Sequence, residues 1–382
     1  MIYGTFPTAE CSGAVLVHSV RAGGQTFRKG RTLDDADIRA LLDAGVEEVV
    51  IIRYEAGDVP EDAAAARLAV PLVGPGVVAD EAFTGRVNLR ARHAGVLRLD
   101  RDAIEAVNRI DEALTIATLE DFAPVTEGQL IATIKIIPFA APEAALEVAL
   151  TRLRASADPF RVAAYRGISA FLIQTTLPTV KPSVLDKTTE ITRERLLQVG
   201  GRLLGERRCG HDRGELAEAI AAAPAVDVLL VAGASAVTDR RDVVPAAIEQ
   251  AGGIVEHVGM PVDPGNLLVF GQQGGRPVVG LPGCARSPKL NGFDWVLQRL
   301  GAGLAVDREA IMSMGVGGLL AEIATRPQPR ELAPPPDRPR VAVLVLAAGQ
   351  SRRMGPLNKL VQPLGTKPMV AFPVDAALAS KA

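Results

Sequence analysis

Three cysteines in 382 residues, at positions 11, 209 and 284, are too few and too scattered for a disulfide framework, and no C-x-x-C pair marks a zinc or redox site. Aromatic residues are as scarce, at 4% with a single Trp, so a core has to be built from Ala, Val, Leu and Ile, as in an α/β protein. An excess of charge is missing too: 42 basic against 44 acidic side chains leave a net charge of −2. No Lys/Arg block is long enough to follow a phosphate backbone, which argues against nucleic acid as a partner. No apolar run has membrane-spanning length, and the opening MIYGTFPTAE lacks the order of a signal peptide. These absences point to a cytoplasmic protein with no membrane partner. What is present is 48% hydrophobic residues and a mean hydropathy of +0.20, with 37 Gly and 27 Pro. That permits a sizeable core with many turns, in two or three domains.

The richest stretch runs from Val226 to Leu300. VDVLLVA (226–232) is a short apolar run with turn chemistry on both sides, the pattern of a strand buried on both faces. It breaks into Gly233, Ala234 and Ser235 and a polar cluster ending RRDVVP, after which Val244, Ala247, Ile248 and Ala251 recur at helical spacing. Further apolar runs at 254–259 and 267–270 lead to VVGLPG (278–283). Ser287 and Pro288 then stand where an N-cap and first helical position are expected, with Leu290, Phe293, Leu297 and Leu300 as the apolar stripe. Two strand-to-helix loops of one sheet thus carry small residues and hydroxyls, and in open α/β sheets ligands collect at such carboxyl ends.

GASAVTDRRDVVPAAI (233–248), GMPVDPGNLLVFG (259–271) and GLPGCARSPKLNGF (280–293) together resemble, in order, the motifs of the molybdopterin-binding superfamily. That superfamily includes molybdopterin adenylyltransferases, molybdate-inserting enzymes and binding modules. There are two departures. The first loop is about two residues longer than the adenylyltransferase pattern, and Cys284 stands where molybdate-inserting relatives usually have Asn. The resemblance implies a molybdopterin site that includes Gly233, Ala234, Ser235, Asp239, Asp242, Asp263, Gly265, Pro282, Gly283 and Ser287, with Asp242 at the ligand or a metal and the candidate catalytic residue. Read from the residues alone, Asp242 can equally cap the helix starting at Val243, Ser235 can be a turn hydroxyl, and Asp263 sits in PVDPGN, a turn in its own right. No metal ligand set is identified. His211 and His257 have no metal spacing and read as structural, and Cys284 as a small packed thiol.

ISAFLIQTT (168–176) is expected to be the first strand of the same sheet. Ser183, Asp186, Lys187, Thr188 and Thr189 are expected to precede a helix containing Ile191, Leu196 and Val199, closed by Gly200 and Gly201. A helix start with free amides and hydroxyls can hold a phosphate. Ser183 and Lys187 are therefore candidates for the pterin's terminal phosphate, with Lys181 nearby, and helix capping and surface lysines are the alternative.

The preceding region contains the strand-like runs GAVLVHSV (13–20), VEEVVII (46–52) and LIATIKIIPF (130–139). Its helices are expected after a Thr32/Asp35 cap, along Ile104, Val107, Ile110 and Leu114, and over 143–153. Residues 55–69 read as an exposed helix or linker, and AFTGRVNLRARHAG (82–95) as a solvated polar strand and loop or a ligand site.

After a Pro-rich stretch, TRPQPRELAPPPDRPR (325–340), VAVLVLAAGQSRRMGPLNKL (341–360) joins a buried strand to a Gly-containing cationic loop. LAAGQSRRMG with Lys359 is similar to the opening signature of MobA-like NTP transferases of the molybdenum cofactor cytidylyltransferase type. The similarity implies triphosphate contacts from Ala347, Ala348, Gly349 and Ser351, with Arg353 and Lys359 as cations. About forty residues of a domain that needs on the order of 100–200 are present, so the chain is expected to be a fragment that binds rather than catalyses.

The expected fold is α/β: an N-terminal α+β region over 1–160, a three-layer molybdopterin-binding domain over 161–310, a linker over 311–340 and a truncated, Rossmann-like nucleotidyltransferase start over 341–382. By resemblance, the intact protein transfers CMP from CTP, with Mg²⁺, to molybdopterin or its molybdenum-loaded form. Two alternatives remain: the middle domain is itself an adenylyltransferase or molybdate-inserting enzyme, or it is a non-catalytic carrier for an acceptor molybdoenzyme. Self-association into a homo-oligomer is implied by resemblance alone.

Overall fold

The computed structural model describes residues 1–156, 160–320, 345 and 358–379, and the chain divides into two compact units, Met1–Ala321 and Glu322–Ala382. In the second unit the described elements are a short turn at Lys359–Val361, a small hairpin and a helix over Ala371–Ala379. The expected strand near 341–346 and the candidates Ala347, Ala348, Gly349, Ser351 and Arg353 lie outside the described residues.

The first unit is a mixed α/β structure. Its opening 53 residues pair Ile2–Pro7, Glu48–Arg53 and Val15–Leu16 in an antiparallel sheet over the helix Asp35–Asp43, around Leu16, Leu33, Leu41 and Ile51. GAVLVHSV yields not one strand but the two-residue strand Val15–Leu16 and, at Val20, the start of a second, Val20–Ala22. The helix cap is Asp34 with Asp37 in a reciprocal box, not Thr32 with Asp35. Next come a four-stranded and a three-stranded antiparallel sheet, packed by the helices Glu61–Ala69, Arg101–Asn108 and Glu143–Ala155. Of the two readings of 55–69 the helix holds, over 61–69, but it is not exposed throughout: Ala64, Ala65, Leu68 and Ala69 are buried in this core. The helix along Ile104 and Val107 stops at Asn108, whose side-chain amide bonds both backbone groups of Ile116, and Leu114 opens a strand instead.

Six strands make the sheet that carries the site: β1 (Ser169–Thr176), β2 (Arg202–Gly210), β3 (Val228–Ala232), β4 (Ile254–Val258), β5 (Val269–Gln273) and β6 (Arg276–Leu281). Their order is β2-β1-β3-β6-β5-β4, with β2, β1, β3 and β6 mutually parallel and β5 antiparallel to both neighbours. Helices α1 (Pro182–Gln198) and α4 (Gly292–Gly301) cover one face through Leu196, Val199, Phe293 and Leu297. Helices α2 (Arg213–Ala221) and α3 (Val243–Gln250) cover the other through Leu216, Ile220, Val244 and Ile248. β3 is buried along its whole length, as a parallel strand sandwiched between two helical layers must be. From β1 the chain crosses to β2 on one side, and from β3 it crosses to the other side. The crevice between the carboxyl ends of β1 and β3 is therefore a topological switch point, where ligands of such sheets bind.

Candidate functional site

Thr175, at the end of β1 and fully buried, accepts a hydrogen bond from the Ala234 amide at 2.8 Å and so spans that crevice. Its hydroxyl also meets His211 Nδ1 at 2.8 Å, and His211 Nε2 meets the Ser235 hydroxyl at 2.7 Å. His211 follows β2 directly, tied there by its amide to the Thr176 carbonyl. The imidazole links three loops at the rim, a role its sequence neighbourhood did not announce. Which ring nitrogen carries the proton sets the direction of both bonds: if the Thr175 hydroxyl donates to Nδ1, the ring proton sits on Nε2 and donates to Ser235 Oγ, and the proton of Ser235 is left for another acceptor.

From there the loop runs to Asp242, whose Oδ2 accepts from the Thr238 and Asp239 amides and from the Thr238 hydroxyl. These bonds hold its carboxyl below the usual range. Asp242 occupies the N-cap position of α3 but makes no side-chain cap bond there; it folds its own loop instead. All three bonds use Oδ2, so Oδ1 stays outside them. Asp239 is drawn to about 2 by the Arg241 guanidinium and amide, an exposed pairing on the far side of the turn.

The loop after β6 is a 3-10 turn, Gly283–Arg286. Arg286 reaches across and donates from Nη2 to the Gly233 carbonyl at 2.8 Å. Ser287 and Pro288 do not start the helix. Arg195 of α1, 5% exposed, gathers the carbonyls of Ala285, Ser287 and Lys289 and pairs with Asp294 at 2.6 Å, so the chain stays non-helical until Asn291 caps α4. Leu290 is consequently exposed, while Phe293 and Leu297 are buried. Asn291 also donates to Cys284 Sγ at 3.0 Å.

The PVDPGN segment closes the ring. Gly292, the first residue of α4, donates to the Pro264 carbonyl at 2.8 Å. Gly265 has φ +144 and packs so closely that a Cβ there would lie 2.8 Å from the Gly292 nitrogen. Asp263 itself pairs through its backbone with Gly318 and Leu320. The segments of Ser235, Gly283 and Asp263 are therefore joined, through Arg286, Asn291 and Gly292, at one rim. Ser183 and Lys187 belong to the first turns of α1, which begins at Pro182 with Lys181 as N-cap, not to a loop before it. Thr188 and Thr189 are buried inside α1 as well. Arg86, Asn88 and Arg90 lie on a strand remote in sequence from this rim, with Arg90 paired to Asp80.

A cavity of about 470 Å³ lies elsewhere, at the amino ends of the strands, lined by Ile168, Asp227, Pro277 and Leu300 among others. It lies at the opposite ends of the strands from the loops of Ser235 and Arg286. Among the described residues no cluster of three His, Cys, Asp or Glu could hold a metal, and no helix is long and apolar enough to cross a membrane.

With these three loops joined at the switch point, comparison with known proteins finds family models that match parts of the chain. Residues 176–301 match the family described as "Probable molybdopterin binding domain". Residues 343–382 match "MobA-like NTP transferase domain", and residues 5–53 match a domain of unknown function. One chain thus carries a segment similar to a molybdopterin-binding domain and, after it, a segment similar to an NTP transferase domain. A search of curated proteins finds no match. Among solved structures, molybdenum cofactor biosynthesis protein B is 17% identical, covering 36% of this chain and 88% of its own, with a TM-score of 0.25. The molybdopterin biosynthesis moea protein from Pyrococcus horikosii is 14% identical, covering 78% of this chain and 75% of its own, with a TM-score of 0.27. A molybdopterin biosynthesis protein from Mycobacterium abscessus is 18% identical, covering 36% and 87%, with a TM-score of 0.20.

Proposed function

We propose that residues 161–310 bind molybdopterin, or its molybdenum-loaded form, at the carboxyl rim of β1, β3 and β6. In a polypeptide that contains the whole transferase, this domain presents the pterin for transfer of CMP from CTP, with Mg²⁺, and pyrophosphate leaves. The observation that carries this reading is the chain of contacts from Thr175 and His211 through Ser235, Gly233 and Arg286 to Asn291, Gly292 and Pro264. It supports one preorganised rim with hydroxyls, amides and a cation, a donor set suited to a polar heterocycle bearing a phosphate. Gly233, Ala234, Ser235, Gly265, Pro282 and Gly283 are its proposed lining, with Asp263 and Ser287 as backbone supports.

The open Oδ1 of Asp242 favours a second reading, in which this domain itself adenylylates the pterin or inserts molybdate, with Asp242 facing the ligand or Mg²⁺. Pyrophosphate release by the full chain, with molybdopterin, Mg²⁺ and either ATP or CTP, separates the two. Turnover with ATP that Asp242→Asn abolishes supports the second; pterin binding without consumption of either nucleotide supports a presenting domain. A cytoplasmic setting, self-association and delivery to an acceptor molybdoenzyme belong to the same proposal.

A further inference from the structure

Arg286 is half-buried, and among the described residues no carboxylate pairs with it. Its recorded bond is the one to the Gly233 carbonyl, and burial pushes the guanidinium's pKa down. A desolvated cation without a counter-ion favours an oxyanion, and a guanidinium fork suits phosphate oxygens better than an ammonium does. Two residues after Gly233, the Ser235 hydroxyl meets His211 Nε2 at 2.7 Å, and in the Nε2–H tautomer its own proton is left for an acceptor. The amides of Ser235, Ala236 and Val237 have no hydrogen-bond partner among the described residues.

We propose that Arg286, the Ser235 hydroxyl and the amides of 235–237 form a phosphate-monoester subsite between the loops after β3 and β6, with His211 as a positioning residue. The assignment rests on reading the rim as a pterin site, and it moves the phosphate away from Ser183 and Lys187 at the start of α1. The start of α1 offers two exposed lysines, Lys181 and Lys187, each a strongly hydrated point charge, whereas Arg286 is partly desolvated already.

The test uses the full chain and two probes: the oxidised, fluorescent pterin phosphate and the same compound after phosphatase treatment. The wild type should prefer the phosphorylated probe by about tenfold or more, the effect of one charge-assisted hydrogen bond. Arg286→Gln keeps a donor for the Gly233 carbonyl but removes the charge, and should shrink that preference to within about threefold. An undiminished preference in Arg286→Gln, or its loss in Lys187→Gln instead, overturns the subsite. A second measurement needs neither variant nor pterin: inorganic phosphate added to the wild type should shift the NMR amide signals of residues 235–237. A shift confined to Ser183 and Lys187, or none, overturns the assignment. If phosphate shifts the 235–237 amides while neither pterin probe binds, the subsite stands and the pterin reading falls.

Discussion

Arg195 and Asp294 lie 99 residues apart in sequence and 2.6 Å apart in space, both buried between α1 and α4. The pair fixes the loop after β6, because the same guanidinium gathers three of that loop's carbonyls. Arg195→Met leaves the Asp294 charge and those carbonyls without their partner. The expected cost is about 3–5 kcal/mol in urea denaturation, the usual penalty for breaking a buried pair from one side. A loss under about 1 kcal/mol, the range of surface pairs, would mean that the pair does not organise the rim.

Gly265→Ala tests how closely the PVDPGN segment seats on α4. The left-handed φ and the approach to Gly292 leave no room for a Cβ. We expect destabilisation of at least about 2 kcal/mol from backbone strain and the displaced contact. A melting temperature equal to that of the wild type would show that the segment is not seated there.

The loop of Asp239 and Asp242 should respond to acid in one direction only. Both carboxyls are held below their ordinary value of 3.8, Asp239 at about 2 by Arg241, and Asp242 by the amides of Thr238 and Asp239. A depressed carboxylate stabilises fully above its unfolded value and loses that contribution as pH falls through its folded one. The amide signals of Thr238 and Asp239 should therefore hold steady from neutral pH down to about 4 and change below it. Changes between pH 5 and 7 would contradict the assignment.

Thr175→Val removes the acceptor for the Ala234 amide and the hydroxyl that meets His211 Nδ1 in one isosteric change. The unpaired amide should cost about 1–3 kcal/mol. Long-range ¹H–¹⁵N spectra of the wild type should show His211 with its proton on Nε2, and in the variant a mixture of tautomers. An Nδ1–H tautomer in the wild type would reverse the direction of donation to Ser235.

Much of the fold around this candidate site is legible in the sequence. The Gly233 and Gly283 loops follow buried strands whose composition admits little else, and the helix after Asp242 shows in the spacing of Val244, Ala247 and Ile248. What escaped depends on contacts between residues distant in sequence. Ser287 and Pro288 have the chemistry of a helix start, but Arg195, some 92 residues before Ser287, holds the carbonyls of Ser287 and Lys289 out of it. His211 has no local signal at all, since its partners come from the ends of β1 and β3. Helix α1 begins at Pro182, not after Thr189, because Leu185 and Thr189 turn inward to the buried Gln174 amide. Asn108 ends its helix for a similar reason, through Ile116.

The most direct test is a crystal structure of the full chain soaked with the oxidised pterin phosphate. The ligand should lie at the rim bounded by Ser235, Gly265 and Gly283, in contact with Arg286. Density instead in the cavity of about 470 Å³ near Ile168 and Asp227, at the opposite ends of the strands, would contradict the account.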